Sequence, residues 1–201
     1  LKLQKPNKEK LHSLYERLEL RTLLRRLEPE SVVAEDYSKN IEYEIIYTDA
    51  QLNDWISELK NIDLVAIDTE TTSLNYMQAE IVGISLATEA GKGAYIPLAH
   101  RYVGAPKQLD RDQVLKTLKP WLESPAKKVG HHLKYDAHIL LNYGIVLKGM
   151  TYDSMLESFV FNSTATRHDM GSVALKYLNK KTTQYEEVAG KGAKQICFDQ
   201  V

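Results

Sequence analysis

Four consecutive apolar residues at positions 64–67 run directly into the acidic residues Asp68 and Glu70, and this segment limits the possible folds more than any other. A short apolar run of this kind predicts a buried strand. Two more extended segments follow at 80–87 and 93–98, separated by a hairpin-like turn. The remaining predicted elements are strands at 42–47 and 128–130 and helices at 49–59, 109–122, 135–142, 153–161 and 170–178. Strands followed by helices around a mixed sheet predict an α/β domain.

The N-terminal part of the chain has a different pattern. Leucines recur at helical spacing between residues 11 and 27, with Arg and Glu between them, which predicts one amphipathic helix. A polar stretch without periodicity follows, and we interpret 31–42 as a linker. The sequence therefore predicts a helical appendage at 1–30 and an α/β domain at 43–201. Because the first residue is Leu1 and not Met, we expect the chain to be a piece of a longer protein.

The composition excludes several classes of protein. The formal net charge is −1, so any binding of nucleic acid must rest on a local site or on a neighbouring domain. The single cysteine, Cys197, excludes an internal disulfide and a cysteine-based zinc site, and it fits a reducing cytoplasm. No apolar run is long enough to cross a bilayer and no secretory signal is visible, so we expect a cytoplasmic protein without membrane contacts.

The tetrapeptide from Asp68 to Thr71 carries the densest chemical signal. Residues i and i+2 of a strand project from the same face, so Asp68 and Glu70 are predicted to lie side by side. Two adjacent carboxylates repel each other unless a cation lies between them, and hard divalent ions such as Mg²⁺ and Mn²⁺ prefer oxygen ligands. The alternative is a solvated acidic loop at the end of the strand. The tetrapeptide alone leaves both interpretations open.

A second acidic feature lies at Asp136, in the first turn of a predicted helix. It is either an ordinary helix-terminal charge or a third carboxylate that meets Asp68 and Glu70. The adjacent pair His131 and His132 could suggest zinc, but neighbours on a strand point apart and no third ligand stands at a suitable spacing. We favour the third carboxylate.

The segment after residue 152 offers weaker signals. Asp153 and Asp169 each precede a predicted helix, and we interpret both as N-caps. Arg167 and His168 could contact a phosphate, although a surface role is the default expectation.

Together these segments resemble a known family. Val65-Ala66-Ile67-Asp68-Thr69-Glu70-Thr71 and Val129-Gly130-His131-His132-Leu133-Lys134-Tyr135-Asp136 resemble the first and second motifs of the DEDD exonuclease superfamily. Segments 94–100, 142–145, 155–158 and 186–192 resemble the 3′→5′ exonuclease domain of bacterial DNA polymerase I, of family A. The likeness covers about 43–201, and the helix at 15–27 resembles the segment that joins an upstream 5′-nuclease domain. It implies a ribonuclease H-like mixed sheet flanked by helices.

The resemblance also implies a mechanism. Two divalent ions, Mg²⁺ or Mn²⁺, would be held by Asp68 as a bridging ligand, by Glu70, which also orients the attacking water, and by Asp136, through water. The 3′-terminal phosphodiester of single-stranded DNA would be hydrolysed during proofreading in replication and repair. Polymerase and 5′-nuclease domains of the same parent chain would be partners. The implied substrate-binding residues are Thr69, Leu74 (as a wedge against the terminal bases), His132, Tyr135, Arg167, His168 and Tyr185.

Two departures from the family pattern limit these expectations. His132 stands where the family normally has Asn, which makes its substrate contact uncertain. The third motif, a Tyr four residues before an Asp, would follow Val201, so we expect the 201-residue chain to be catalytically impaired. Two alternatives remain: a ribonuclease D-like exonuclease, and a non-catalytic DNA-binding or interdomain scaffold.

Overall fold

The structure, a computed structural model, describes residues 6–18, 20–27 and 41–201. The chain divides into two compact units, one within 1–37 and one within 38–201. The first unit contains helix α1, Lys8–Arg17, and helix α2, Arg21–Leu27. The single helix predicted over 11–27 is therefore wrong. Leu18 leaves the helical conformation, and the N–H of Leu20 donates to the carbonyl of Tyr15, five residues back, at 2.8 Å. Most of the predicted linker, up to residue 40, lies outside the described residues.

The second unit is built on a mixed six-stranded sheet in the order β1-β4-β3-β2-β5-β6. Strands β2, β3 and β4 are antiparallel neighbours, whereas β1 pairs in parallel with β4, and β5 in parallel with β2 and β6. This confirms the predicted α/β class. The strands are β1 (Glu42–Ile45), β2 (Leu64–Thr71), β3 (Ile81–Glu89), β4 (Lys92–Pro97), β5 (Lys127–Gly130) and β6 (Met150–Asp153).

In the described part of this unit, 41–201, six α-helices accompany the sheet, and local side-chain bonds explain where several of them begin. Thr48 and Gln51 form a capping box at the start of α3. Asp153 and Asp169 cap α6 and α7, as predicted. Strand β6 and helix α8 were not predicted. The helices are α3 (Asp49–Leu59), α4 (Arg111–Leu122), α5 (Leu133–Leu141), α6 (Ser154–Phe161), α7 (Met170–Leu178) and α8 (Tyr185–Ala189); 3₁₀ turns lie at Gly192–Lys194 and Phe198–Gln200.

The main hydrophobic core joins one face of the sheet to α3, α4 and α5. On β2 this face carries Val65 and Ile67, both at most 2% exposed. The alternate residues of β2, which include Ala66 and Asp68, point to the opposite face. Among the described residues, no helix is long and apolar enough to cross a membrane.

Candidate active site

Strand β2 presents Asp68 and Glu70 on the sheet face opposite the main core. The strand continues to Thr71, so both acidic residues belong to it and do not follow it in a loop. Asp68 lies opposite Ser85 of β3, and Glu70 lies opposite Gly83. Between them, Thr69 faces the other way and is 6% exposed. The alternation along the strand therefore gives the two carboxylates a common face.

Asp136, in the first turn of α5, approaches these carboxylates from the side of β5, the strand that precedes α5. Pairing between β2 and β5 ends at Ala66 and Val129, which leaves the next part of β2 without a strand on that side. There Oδ1 of Asp136 accepts hydrogen bonds from the backbone N–H of Thr69, at 2.9 Å, and from its hydroxyl, at 2.6 Å. The carboxylate thus takes the place of a strand partner and is held beside Asp68.

Burial and the charges of neighbouring carboxylates raise the pKa of all three acidic residues. Burial, and then the charge of Asp136, raises the pKa of Asp68 to about 7. Burial, and then the charge of Asp68, raises the pKa of Glu70 to about 7. Burial raises the pKa of Asp136 to about 6, although the hydrogen bonds from Thr69 act in the opposite direction. Within the described ranges, none of the three forms a salt bridge with Lys, Arg or His.

Uncompensated carboxylates of this kind suit a hard divalent cation. The oxygen chemistry of Asp68, Glu70 and Asp136 fits such an ion. The geometry is not that of a closed ligand set, because no three His, Cys, Asp or Glu side chains in 6–18, 20–27 and 41–201 are arranged to hold a metal ion together.

A pocket of about 530 Å³ lies over the same sheet face, next to Asp68. Residues from β1 to β5 line it, together with His131, Ser154 and Met170. Nδ1 of His131 lies 3.0 Å from the hydroxyl of Ser154, and its Nε2 is buried without a hydrogen-bond partner among the described residues. Burial lowers the pKa of His131. The sequence indicated no ligand role for His131 beyond the rejected zinc site, because only the fold places it in the pocket.

Tyr95 is a second residue that sequence reasoning missed. Its ring crosses Gly83, where an added Cβ would lie 2.0 Å from the phenolic oxygen. That oxygen lies 2.6 Å from Nε2 of His100, whose Nδ1 lies 2.9 Å from the carbonyl of Val201. Because the carbonyl only accepts, Nδ1 carries the hydrogen and Tyr95 donates to Nε2. Burial, followed by the charges of Glu70 and Asp68, raises the pKa of Tyr95.

Several predicted substrate-binding residues lie on the segments around the carboxylates. Leu74 is 93% exposed in the loop after β2. The hydroxyl of Tyr135 lies 2.5 Å from Oγ1 of Thr71. His132 is exposed, has a left-handed backbone with φ of 71°, and donates its N–H to Asp153.

The other predicted contacts are occupied within the protein. Arg167 has a side chain 88% exposed and pairs with Asp169. Both ring nitrogens of His168 have partners, the hydroxyl of Ser158 and the carbonyl of Ser163. The ring of Tyr185 stacks on Phe198, with centroids 6.2 Å apart. No contact in the described structure joins Arg167, His168 or Tyr185 to the three carboxylates, and their roles stay predictions.

Comparison with known proteins agrees with this architecture. The model of a 3′-5′ exonuclease family matches residues 43–201. This chain belongs to the 3′-5′ exonuclease family of DNA polymerase I. It is 48% identical to DNA polymerase I of Pseudomonas aeruginosa over 206 residues, which cover 98% of this chain and 23% of that protein. The exonuclease chain thus spans about a quarter of this relative. Exonucleases of this family use divalent metal ions.

Solved structures show the same fold at low sequence identity. The POL domain of Pol1 from M. smegmatis, in complex with DNA primer-template and dNTP, superposes with a TM-score of 0.58 at 19% identity, over 70% of this chain and 23% of that one. Escherichia coli RNase D superposes with a TM-score of 0.55 at 19% identity, over 74% and 36%. The predicted ribonuclease H-like fold and the exonuclease family are confirmed. The likeness to RNase D concerns the fold alone.

Proposed function

We propose that this chain is the proofreading domain of a DNA polymerase I, which hydrolyses the 3′-terminal phosphodiester of single-stranded DNA and releases a deoxynucleoside monophosphate. One observation carries the proposal: Asp68 and Glu70, both half-buried, and the buried Asp136 come together at strand β2, and none of the three has a cationic partner among the described residues. Such a cluster needs a divalent ion to be stable in its ionised form, and paired ions suit phosphoryl chemistry.

The residues would divide the work as follows. Asp68, Glu70 and Asp136 would hold two divalent ions, Mg²⁺ or Mn²⁺, which supply positive charge at the phosphate and lower the pKa of water. Glu70 would also orient the attacking water. Thr69 donates two hydrogen bonds to Asp136 and is almost completely buried, which supports a role in positioning that carboxylate.

Substrate binding would use groups around the carboxylates, of which Leu74 and His132 are exposed and Tyr135 is half-buried. Leu74, His132 and Tyr135 would contact the terminal nucleotides through stacking and apolar contact, which favours single strands without reading base edges. Arg167, His168 and Tyr185 would lie farther along the strand.

The parent protein would supply the remaining partners. We infer that 1–30 belongs to the end of an upstream 5′-nuclease domain and that a polymerase domain is present in the same chain. The P. aeruginosa relative, about four times as long, supports this arrangement. A replication and repair enzyme of this kind would act in the cytoplasm.

The test is hydrolysis of a 5′-fluorescent single-stranded oligonucleotide in Mn²⁺, with protein in excess so that a slow reaction is recorded. We expect shortening from the 3′ end, and a loss on the order of 100-fold in Asp68→Asn and Asp136→Asn, because each removes charge stabilisation at the phosphate. Asp63→Asn is the matched control, since Asp63 precedes the same strand and its side chain is 83% exposed.

Two outcomes would contradict the proposal. Faster hydrolysis of an RNA oligonucleotide of the same sequence would favour a ribonuclease D-like enzyme. Equal behaviour of the unmodified chain and Asp68→Asn on both nucleic acids would favour a non-catalytic scaffold.

A further inference from the structure

The loop at 72–80, between β2 and β3, exposes an apolar side chain, and hydrogen bonds within the loop hold the residues around it. Leu74, near its tip, is 93% exposed. Its neighbours are fixed: the N–H of Asn75 donates to the hydroxyl of Ser73 at 3.0 Å, and the N–H of Met77 donates to Oδ1 of Asn75 at 3.2 Å. At the base, Thr72 and Glu80 exchange two hydrogen bonds. Leu74 is therefore exposed although the loop around it has a defined structure.

Residues on one face of α5, and Asn142 just after the helix, contact this loop through hydrogen bonds and a stacked ring pair. The hydroxyl of Tyr135 donates to the carbonyl of Ser73 at 2.5 Å. The ring of His138 stacks on Tyr76, with centroids 4.6 Å apart and planes 19° apart. The side-chain amide of Asn142 donates to the carbonyl of Tyr76 at 2.6 Å. Positions 135, 138 and 142 lie on one helix face, as spacings of three and four residues require.

The same helix carries Asp136, which is bonded to Thr69 of β2. The hydroxyl of Tyr143, just beyond α5, accepts from the N–H of Ile81 at 3.0 Å, where the loop enters β3. Helix α5 thus contacts both the loop and the carboxylates, and it fixes the position of Leu74 relative to the carboxylates.

We propose that Tyr76, His138 and Asn142 are positioning residues, which hold the 72–80 loop so that Leu74 separates the last base pair of a paired 3′ end. The inference rests on the proposed function and on the wedge role of Leu74. A single strand has no pair to separate, so loss of these residues lowers the rate on paired ends more than the rate on single strands.

The experiment compares hydrolysis of a single strand with hydrolysis of a fully paired duplex 3′ end, in Mn²⁺ and with protein in excess. In His138→Ala we expect the duplex rate to fall about fivefold, the value of one aromatic pair, and the single-strand rate to change less than twofold. Asn142→Ala has the same expected pattern. His138→Phe keeps a stacking ring and restores the duplex rate.

Two controls isolate the loop. Leu141→Ala changes an exposed position of the same helix and leaves both rates unchanged. Leu74→Ala lowers the duplex rate more than the single-strand rate, and combining it with His138→Ala lowers the duplex rate no further, because both changes remove the same wedge. Thermal unfolding of each variant establishes that it is folded.

The outcomes separate the two proposals. The inference would be overturned by equal losses on both substrates, by unchanged rates in both variants, or by no rescue in His138→Phe. In each of these cases the proposed function still stands, provided that the unmodified chain hydrolyses DNA. If the unmodified chain hydrolyses neither substrate, the proposed function fails. Fluorescence of 2-aminopurine at the duplex 3′ end, measured in EDTA, then decides the inference: the unmodified chain raises it, and an equal rise in His138→Ala contradicts loop positioning.

Discussion

At the residue scale, three carboxylates with raised pKa values, of which Asp136 is buried and Asp68 and Glu70 are half-buried, make the stability of the molecule depend on pH. Asp68, Glu70 and Asp136 all bind protons more tightly in the folded chain than in the unfolded one. A group with a raised folded pKa contributes stability below its ordinary pKa, and this contribution is lost as the pH rises through the folded value. For this cluster the loss falls between about pH 4 and pH 7.

We therefore predict that the metal-free chain is less stable at pH 8 than at pH 5, by on the order of 2 kcal/mol in free energy of unfolding. Asp68→Asn should reduce this difference, because it removes one titrating group and its repulsion of Glu70. Mg²⁺ should raise the stability of the unmodified chain at pH 8. Denaturant unfolding in EDTA at several pH values measures the effect. The exposed control Asp63→Asn should retain the full difference; an identical profile for Asp68→Asn would contradict the prediction.

At the scale of secondary-structure elements, Asp153 fastens two helices at once. Its carboxylate accepts from the N–H groups of His132 and Leu133, where α5 begins, and from those of Met155 and Leu156 in α6. Burial raises the pKa of Asp153, but these four hydrogen bonds outweigh it, and the pKa lies below the ordinary value.

We predict that Asp153→Ala lowers the free energy of unfolding by about 2–3 kcal/mol, because it removes a cap and leaves further N–H groups without an acceptor. Asp169→Ala, which removes the cap of α7 alone, should cost about 1 kcal/mol. Chemical denaturation of both variants provides the comparison. Equal losses would show that the bonds to His132 and Leu133 contribute nothing.

Sequence patterns located elements better than they located contacts between them. The alternation along β2 was enough to give Asp68 and Glu70 a common face. The sequence favoured a meeting of Asp136 with them, but the hydrogen bonds from Thr69 that hold Asp136 there could not be predicted, since they depend on where pairing of β2 with β5 ends. Tyr95 was missed because its position over Gly83 follows from the register of β3 and β4, which no local pattern encodes. The break between α1 and α2 has no Gly or Pro to mark it.

At the scale of the whole molecule, the main hydrophobic core cluster includes, among the described residues, only residues of the sheet unit. Every residue of the main core cluster lies between Ile46 and Leu147. In α1 no residue is buried. The expected division into an appendage at 1–30, a linker and an exonuclease domain at 43–201 stays a prediction.

We predict that residues 41–201 fold alone, with a thermal midpoint within about 3 °C of the complete 201-residue chain, a difference below about 1 kcal/mol for a domain of this size. Circular dichroism melting of both chains tests this. As a contrast, removal of α3 as well, by starting at residue 60, takes away Leu52, Trp55 and Leu59 from the core and should prevent cooperative unfolding. A large drop in midpoint on removal of 1–40 alone would place part of the domain's stability in the appendage.

The left-handed backbone of His132 gives the departure from the family pattern another meaning. With φ at 71°, this position favours side chains that tolerate a positive φ, and among non-glycine residues Asn, Asp and His do so most readily. The usual Asn and the His of this chain therefore satisfy the same conformational demand at the junction of β5 and α5. Exchange between Asn and His therefore costs the fold little. A β-branched residue at this position would strain the backbone, whatever its effect on DNA binding.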